Sequence, residues 1–310
     1  MIVNPIDIQK AHPVRKSRKQ KNAFRKDVCL YLQELGYECT IEKGSCGSRN
    51  VVVGNPESAE HLVCAHYDTC ARMPVPNLIT PCNFWLFIAY QILLTLVLLL
   101  PAVLLAVCVS LIPPIAEMSQ LVFLVTILLT VFLISYGPAN PHNANDNTSG
   151  VVTLLEIAKT MPENYRSRVC FVLFDMEEQG LFGSDAHRSA HKKAIKNQLV
   201  WNLDCVGEGD EILLFPSGKV KRDEEKMKYL LKCETKLATK SIRVCQKGFH
   251  FYPSDQMNFP YGVGIAALKR GKLGLYLDRI HTSSDTCLDE TNVNILRAAI
   301  TSAITCDGVR

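Results

Sequence analysis

A long apolar stretch interrupts an otherwise ordinary globular sequence. Residues 83–136 contain one charged side chain, Glu117, whereas the 310-residue chain as a whole is 21% charged. Residues 84–112 form a run of roughly 29 residues, which at about 1.5 Å per residue can cross a bilayer with some tilt. Residues 115–136 form a second run of roughly 22 residues. The stretch predicts a transmembrane hairpin that breaks at Pro113-Pro114, and the alternative is a helical hairpin buried in a protein core.

The hairpin divides the remaining sequence into two parts that must lie on the same side of a membrane. We expect residues 1–82 and 137–310 to form one domain, with residues 83–136 as an insertion within it. The tip of the hairpin has no Lys or Arg, whereas the flanking sequence is basic. The positive-inside rule therefore predicts an integral membrane protein with two spans and a cytoplasmic domain.

The amino-terminal segment is strongly basic. Its cations, which face only Asp7 as an acid, are Lys10, Arg15, Lys16, Arg18, Lys19, Lys21, Arg25 and Lys26. Such a run is usually a solvated arm or helix face, and beside a membrane span it favours contact with anionic lipids. No recognition motif accompanies these charges, so we expect no nucleic-acid partner.

The chain has 13 cysteines and no Cys-x-x-Cys pair. Secreted disulfide scaffolds are short and usually have an even number of cysteines. We therefore expect reduced thiols in a cytosolic compartment, most of them small buried side chains.

The regular elements follow from apolar spacing and turn residues. The pattern predicts helices at 23–35, 150–161, 221–237 and 292–305, and strands at 39–42, 50–53, 61–65, 168–176, 197–206, 211–215 and 262–268. The polar helix after the fourth strand carries His187, His191, Lys192 and Lys193, which we expect to face solvent.

The strongest chemical signal is a buried strand that ends in two adjacent acids. Residues 171–183 read FVLFDMEEQGLFG and deliver Glu177 and Glu178 at the carboxyl end of the strand, where parallel sheets place their active sites. Imidazoles and carboxylates elsewhere suit zinc ions. They follow other predicted strands or open a helix, and are His66, Asp68, Asp146, Asp204 and His281.

An isolated acid pair is usually a solvated loop, and a lone His near a strand end is usually packed or hydrogen-bonded. Here five motifs occur in a fixed order: HYDT, NDNTSG, EEQGLFGS, the strand-end Asp204, and HTSSDT. In that order they resemble the di-zinc aminopeptidase family of zinc-dependent exopeptidases, which includes glutaminyl cyclase and glutamate carboxypeptidase ectodomains. The resemblance covers most of the chain outside residues 83–136. It implies an α/β fold with a mixed, mostly parallel central sheet flanked by helices, here with the two-helix transmembrane hairpin inserted.

The resemblance also implies a site. Asp146 would bridge two Zn²⁺ ions, and the peptide bond just after it is often cis in the family. The second acid of the pair, Glu178, would be a ligand while Glu177 acts as general base. Asp68 would orient a ligand imidazole through its second ring nitrogen. The full set of metal ligands would be His66, Asp146, Glu178, Asp204 and His281.

The implied activity is that of a membrane-anchored zinc aminopeptidase, whose partners are the lipid bilayer and a peptide with a free amino terminus. A glutaminyl-cyclase-like acyltransferase and a non-catalytic membrane scaffold are the alternatives. Residues 179–184 follow the acid pair directly, without the longer insertion expected of cyclases. The sequence departs from the family at Gln256, where the family often has His in a Ser-Asp-His segment, and this leaves the roles of Ser254 and Asp255 open.

Overall fold

The computed structural model describes residues 4–272 and 274–306, and its centre is a mixed sheet. The sheet order is β1-β2-β4-β3-β5-β9-β6-β8-β7, with β10 paired to β9. The strands are β1 Cys39–Lys43, β2 Arg49–Val53, β3 His61–His66, β4 Val169–Phe174, β5 Leu199–Leu203, β6 Glu211–Pro216, β7 Thr235–Lys236, β8 Ser241–Val244, β9 Gly262–Gly271 and β10 Gly274–Tyr276.

The α-helices lie around this sheet and in the apolar stretch. They are α1 Ile8–Ala11, α2 Arg18–Glu34, α3 Phe84–Ser110, α4 Ser119–Tyr136, α5 Gly150–Thr160, α6 Phe182–Ala190, α7 Lys192–Ile195, α8 Gly218–Arg222, α9 Glu224–Lys232 and α10 Glu290–Thr305. The helix predicted at 221–237 is wrong in two respects. It is two helices, because Asp223 breaks the run and caps α9 by accepting a hydrogen bond from Lys226 N at 3.0 Å. Its last part is not helical, since Thr235–Lys236 pair with β8 as strand β7.

Parallel pairing is confined to part of the sheet. β4, β3, β5 and β9 pair in parallel, as do β6 and β8, whereas the remaining pairs are antiparallel. Strands joined by short turns, such as β1 with β2 and β9 with β10, can pair only in antiparallel fashion. The expected mixed α/β sheet is therefore observed, but "mostly parallel" describes only its centre.

The central strands are covered on both faces. Every residue of β3, β4 and β5 is buried, as is typical of parallel strands between helical layers. On one face α2, α5 and α10 contribute Phe24, Leu154 and Leu296 to the main core. On the other face Ile195 and Phe259 pack against β3 and β4. This burial fixes where the strand ends, and the polar residues on them, can lie.

The apolar stretch forms two helices that stand out from the core. Within the described residues, Phe84–Ser110 and Pro113–Tyr136 are long and apolar enough to cross a membrane, with mean hydropathies of 3.1 and 2.3. Only 11% and 0% of the most apolar part of each is buried. A hairpin buried in the protein core, the alternative considered from the sequence, is therefore not what the fold contains.

Helix α2 begins earlier than the apolar pattern indicates. Ser17 caps it, since its hydroxyl accepts a hydrogen bond from Gln20 N at 3.3 Å and the Gln20 side chain accepts one from Ser17 N at 2.8 Å. This reciprocal pair is a capping box, which satisfies two amide groups at the helix start. A Cys29–Cys39 disulfide then joins α2 to β1, so the expectation of reduced thiols fails at this pair. The remaining cysteines are free thiols.

Three cations of the basic segment are buried, so the expectation of a solvated arm is wrong for them. Lys21 Nζ lies 2.5 Å from Asp175 Oδ1, and Arg25 Nη1 lies 3.7 Å from the other oxygen of that carboxylate. Arg15 is 0% exposed. By contrast Lys10, Arg18, Lys19 and Lys26 are exposed, as expected.

The Arg15 guanidinium joins the amino-terminal segment to the rest of the fold. It donates to the carbonyl oxygens of Tyr67 at 2.5 Å and His12 at 2.8 Å. It also donates to Asn143 Oδ1 at 3.2 Å and Thr148 Oγ1 at 3.0 Å. Burial lowers the pKa of Arg15 to about 10, opposed by the charges of Asp68 and Asp146.

We predict that Arg15→Met lowers the free energy of unfolding by on the order of 3 kcal/mol, because the acceptors now bonded to Arg15 become buried and unsatisfied. Arg18→Met makes the same change at an exposed position, and should alter that free energy by no more than about 0.5 kcal/mol. Urea unfolding of both variants provides the measurement. Equal effects of the two substitutions would contradict the role given to Arg15.

Candidate metal centre

The candidate ligands converge at the carboxyl edge of the parallel strands. His66 is the last residue of β3, Glu177 and Glu178 follow β4, and Asp204 directly follows β5. These three strands are neighbours in the sheet. Their shared edge is where open α/β sheets bind ligands, as the sequence pattern predicted.

The Asp146 carboxylate lies between two imidazoles. Its Oδ1 is 3.2 Å from His66 Nε2, and its Oδ2 is 3.0 Å from His281 Nε2. Beside the first imidazole, His66 Nε2 is 3.6 Å from Asp204 Oδ1. Beside the second, His281 Nε2 is 3.4 Å from Glu178 Oε2. The structure thus brings together all five predicted ligands, in two halves that share one carboxylate.

A well-braced segment presents Asp146. It lies in the irregular turn Ala144–Ser149 that precedes α5, and the peptide bond between Asp146 and Asn147 is cis, as the resemblance implied. The Asp285 carboxylate accepts hydrogen bonds from Asn145 N at 2.7 Å and Asp146 N at 3.0 Å. Asn147 Nδ2 donates to Leu203 O at 2.9 Å, next to Asp204. These contacts set the position of Asp146 relative to β5.

Asp285 is a site residue whose role the sequence reasoning missed. It belongs to the HTSSDT motif already used to recognise the family, so the signal was present in that motif. Its carboxylate is 1% exposed, and burial raises its pKa to about 7, with the charge of Asp146 acting in the same direction. Asp285 holds the backbone of the bridging residue rather than a ligand atom.

Asp68 braces the other side of the centre. Its two oxygens accept hydrogen bonds from the backbone N–H groups of Glu177 at 3.1 Å and Glu178 at 3.3 Å. Its Oδ1 also lies 3.5 Å from His66 Nδ1, the ring nitrogen that points away from Asp146. Asp68 therefore positions the paired acids as well as His66, where the sequence predicted only the imidazole.

The two adjacent acids have different surroundings. Burial raises the pKa of Glu177 well above its usual range, although the charge of His66 opposes the shift and that of Glu178 adds to it. Burial also raises the pKa of Glu178 to about 8, with His281 opposing and Asp146 reinforcing the shift. Oε1 of Glu178 is buried and has no hydrogen-bond partner within the described residues. An unpaired buried carboxylate oxygen is costly unless a cation binds it.

The pKa values of His281 and Asp146 also reflect the excess of carboxylates over imidazoles at the centre. Burial disfavours the charged form of His281, but Glu178 and Asp146 outweigh it and raise the pKa of His281 to about 9. For Asp146, burial raises the pKa, but hydrogen bonds from His281 and His66 outweigh it and hold that pKa below its usual range. Carboxylates outnumber imidazoles at the centre. The residues present therefore fit divalent cations, and imidazole with carboxylate is a donor set that zinc accepts.

Cys70 is a further group that sequence reasoning did not select. It forms a cluster with Glu178 and His281 whose potential ligand atoms lie within 4.8 Å of one another. Burial raises the pKa of the Cys70 thiol well above its usual range, and the nearby carboxylates add to the shift. A thiol that stays protonated is a poor metal ligand. Its position four residues after His66 carries no recognisable motif.

The segment in which Gln256 departs from the family pattern is tied to β5, the strand that precedes Asp204. Asn202 Nδ2 donates to Ser254 Oγ at 2.9 Å and to Gln256 Oε1 at 2.8 Å. Gln256 Nε2 donates to Tyr252 O at 2.5 Å. Gln256 is therefore tied to β5 as a structural residue. Asp255 is fully buried, and burial raises its pKa to about 7.

Comparison with known proteins identifies the family. A model of peptidase family M28 matches residues 131–303, more than half of the chain. The chain belongs to peptidase family M28. Family M28 typically binds zinc, which agrees with the donor set assembled around Asp146. No curated protein matches the chain in sequence.

Solved structures with the M28 fold are distant in sequence. The LapA aminopeptidase of Legionella pneumophila is 15% identical and aligns over 97% of this chain and 67% of its own, with a TM-score of 0.54. The glutaminyl cyclase of Bacteroides thetaiotaomicron is 15% identical and aligns over 97% of this chain and 95% of its own, with a TM-score of 0.58. A zinc-dependent exopeptidase of Parabacteroides distasonis is 14% identical and aligns over 97% of this chain and 96% of its own, with a TM-score of 0.56. This likeness establishes the α/β zinc-exopeptidase fold.

We predict that the metal-free M28 protein loses stability as pH rises from about 5 to about 8. The pKa of Glu178 is raised to about 8 and that of Asp285 to about 7, so the folded state keeps protons that the unfolded state has released. The stabilising contribution of such groups is complete below their unfolded pKa and is lost as pH passes the folded pKa. Thermal unfolding in the presence of a chelator measures the trend.

The zinc-loaded protein should instead become more stable as pH rises over this range, because metal ions compete with protons for the same ligands. Glu178→Gln and Asp285→Asn should each flatten the pH dependence of the chelator-treated protein. A melting temperature that is constant or rises between these pH values in the chelator would contradict the electrostatic account.

Proposed function

We propose that this M28 protein is a membrane-anchored zinc aminopeptidase that hydrolyses the amino-terminal residue of peptides. The observation that carries the proposal is the Asp146 carboxylate, with one oxygen near each of two imidazoles and a further carboxylate beside each imidazole. This arrangement supplies two adjacent ligand sets that share one bridge. His66 and Asp204 would complete one set, and Glu178 and His281 the other.

The chain's own residues would divide the chemistry between them. Two zinc ions at the centre would lower the pKa of a bound water toward about 7 and polarise the scissile carbonyl. Glu177 is not needed as a ligand, so its carboxylate is free to accept and then return a proton. It would take a proton from the attacking water and deliver it to the leaving amine as the C–N bond breaks. Asp68, which accepts the Glu177 N–H, would hold this base in place.

We further propose that residues 83–136 insert into a membrane, and that residues 1–82 and 137–310 form one peptidase domain on its cytoplasmic side. The exposed apolar surfaces of α3 and α4 support insertion. Lys16 Nζ donates to Ser135 O at 3.1 Å, which places a cation at the domain end of α4, where anionic lipid head groups would lie. Trp85 and Tyr136 are exposed at the domain ends of the two helices, as interfacial aromatic residues are.

We predict that Glu177→Gln retains zinc and the fold but lowers kcat by about 10²–10⁴, the usual contribution of general acid–base catalysis. Glu178→Gln, the matched change at the neighbouring acid, should instead weaken zinc binding. Zinc content, circular dichroism and kcat are measured for both variants. Full activity of Glu177→Gln would contradict the assignment of Glu177 as general base.

The substrate class is tested with three peptides offered to the zinc-loaded protein. A dipeptide with a free amine should be cleaved, whereas its acetylated counterpart should not, because an aminopeptidase recognises the unblocked terminus. An amino-terminal glutaminyl peptide is scored for ring closure. Pyroglutamate formation without cleavage would favour a cyclase, and no turnover of any peptide would favour a non-catalytic scaffold.

We predict opposite labelling of two epitope tags in intact cells. A tag at Glu117, in the tip of the hairpin, should react with antibody from outside. A tag at Thr239, in an exposed turn between β7 and β8, should react only after the membrane is permeabilised. The reverse pattern would place the peptidase domain outside the cytoplasm, and reaction of both tags in intact cells would contradict two spans.

A further inference from the structure

A second cluster of metal-ligating side chains lies outside the M28 centre. Glu42 projects from β1, and His187 and His191 lie four residues apart at the end of α6. Glu42 Oε2 is 3.1 Å from His187 Nδ1 and 2.8 Å from His191 Nε2. The potential ligand atoms of the three residues all lie within 4.8 Å of one another.

His187 is not the solvated residue that the sequence indicated. Its side chain is 0% exposed and packs against Phe174 in β4, with ring centroids 5.8 Å apart. The helix therefore turns His187 inward, with Nδ1 toward Glu42. Packing fixes this ring before any ligand binds, which lowers the entropy that binding must overcome.

Glu42 is also held in place. Asn50 Nδ2 donates to its Oε1 at 2.8 Å, and the same amide group donates to Gly183 O at 2.9 Å. The Asn50 contact leaves Oε2 as the oxygen that lies nearest to His191. One carboxylate oxygen and two imidazole nitrogens thus point at a common position.

His191 has a second carboxylate on its other ring nitrogen. Its Nδ1 lies 2.5 Å from Glu57 Oε1. Without a metal, burial disfavours the charged form of His191, but hydrogen bonds to Glu57 and Glu42 outweigh it, raise the pKa of His191 and favour an imidazolium that donates to both carboxylates. With Nδ1 still donating to Glu57, loss of the Nε2 proton leaves a lone pair directed at Glu42, where a metal ion can take the place of that proton. A carboxylate that binds the distal nitrogen of an imidazole is the usual support of a metal-ligating His.

We propose that Glu42, His187 and His191 bind a zinc ion, with Glu57 as the positioning residue for His191. Two imidazoles and one carboxylate with an open fourth position form a donor set that zinc accepts in proteins. With metal–ligand bonds of about 2.0–2.1 Å, tetrahedral donors lie about 3.3 Å apart. The two contacts of Glu42 Oε2 with the imidazoles, at 3.1 and 2.8 Å, are close to that spacing. The Glu57 side chain is 56% exposed and that of His191 is 18% exposed, so the ion can enter from solvent.

The bound ion would join β1 to the end of α6. Helix α6 begins at Phe182, shortly after the paired acids Glu177 and Glu178. Zinc at this position would therefore restrain the segment that carries the general base, at a distance from the reacting atoms. The site does not rely on the ligands of the M28 centre and does not depend on the proposed activity.

The test compares zinc content after equilibrium dialysis of the full-length protein against ZnCl₂. His191→Ala should bind one zinc per chain fewer than wild type, and Glu42→Gln should weaken binding of that ion at least tenfold. His250→Ala is the matched control, since His250 is another partly buried imidazole that belongs to no such cluster within the described residues. It should bind as much zinc as wild type. His191→Ala with the wild-type zinc content would overturn the proposal.

The Asp146→Ala background separates this site from the M28 centre. Asp146→Ala should retain one zinc, and adding His191→Ala should remove it. With Co²⁺ in place of zinc, the visible absorption bands of a low-coordinate site should persist in Asp146→Ala and disappear in the double variant. Loss of all metal from Asp146→Ala with an unchanged circular dichroism spectrum would contradict the second site. An Asp146→Ala variant that keeps the wild-type zinc content would instead count against the M28 centre and leave the His191 comparison to decide this proposal.

Discussion

The sharing of one carboxylate by two imidazoles is the interaction on which the rest of this structure depends. Asp146 faces His66 with one oxygen and His281 with the other, in surroundings where carboxylates are in excess. Such a cluster is unfavourable as a set of buried charges, because burial penalises each ionised group that lacks a partner. Divalent cations would resolve this conflict, so the geometry that makes the apo cluster unfavourable is also what makes it a strong candidate for metal binding.

The surrounding fold holds this arrangement from several directions. Asp285 binds the backbone at Asp146, and Asp68 binds the backbone of the paired acids. Arg15 ties the amino-terminal segment to the turn that contains Asp146. The parallel strands bring the ligands to one edge because their carboxyl ends align. The apolar hairpin lies between His66 and Asp146 in the sequence, yet both residues remain in contact across the insertion.

Local patterns predicted the strands that correspond to β1–β6 and β9, but not the short strands β7, β8 and β10. The mixed α/β fold and the full ligand set were implied by the order of the five motifs. Buried strands are recognisable as apolar runs such as the one before Glu177. The order of the motifs then distinguished these acids from acids in solvated loops. Features made by contacts between distant segments could not be read in this way. Arg15 and His187 each resemble a solvated polar residue in sequence. Their burial is shown only by the fold, in which Arg15 donates to the Tyr67 carbonyl and His187 packs against Phe174. The Cys29–Cys39 link likewise depends on how α2 meets β1.

The central claim is that two metal ions share Asp146, and anomalous X-ray diffraction at the zinc absorption edge tests it most directly. Crystals of the zinc-loaded protein should show two anomalous peaks at the centre, one on each side of the Asp146 carboxylate. Each peak should lie about 2.0–2.2 Å from its carboxylate and imidazole ligands. A single peak between His66 and His281, or no peak within bonding distance of Asp146, would contradict the account.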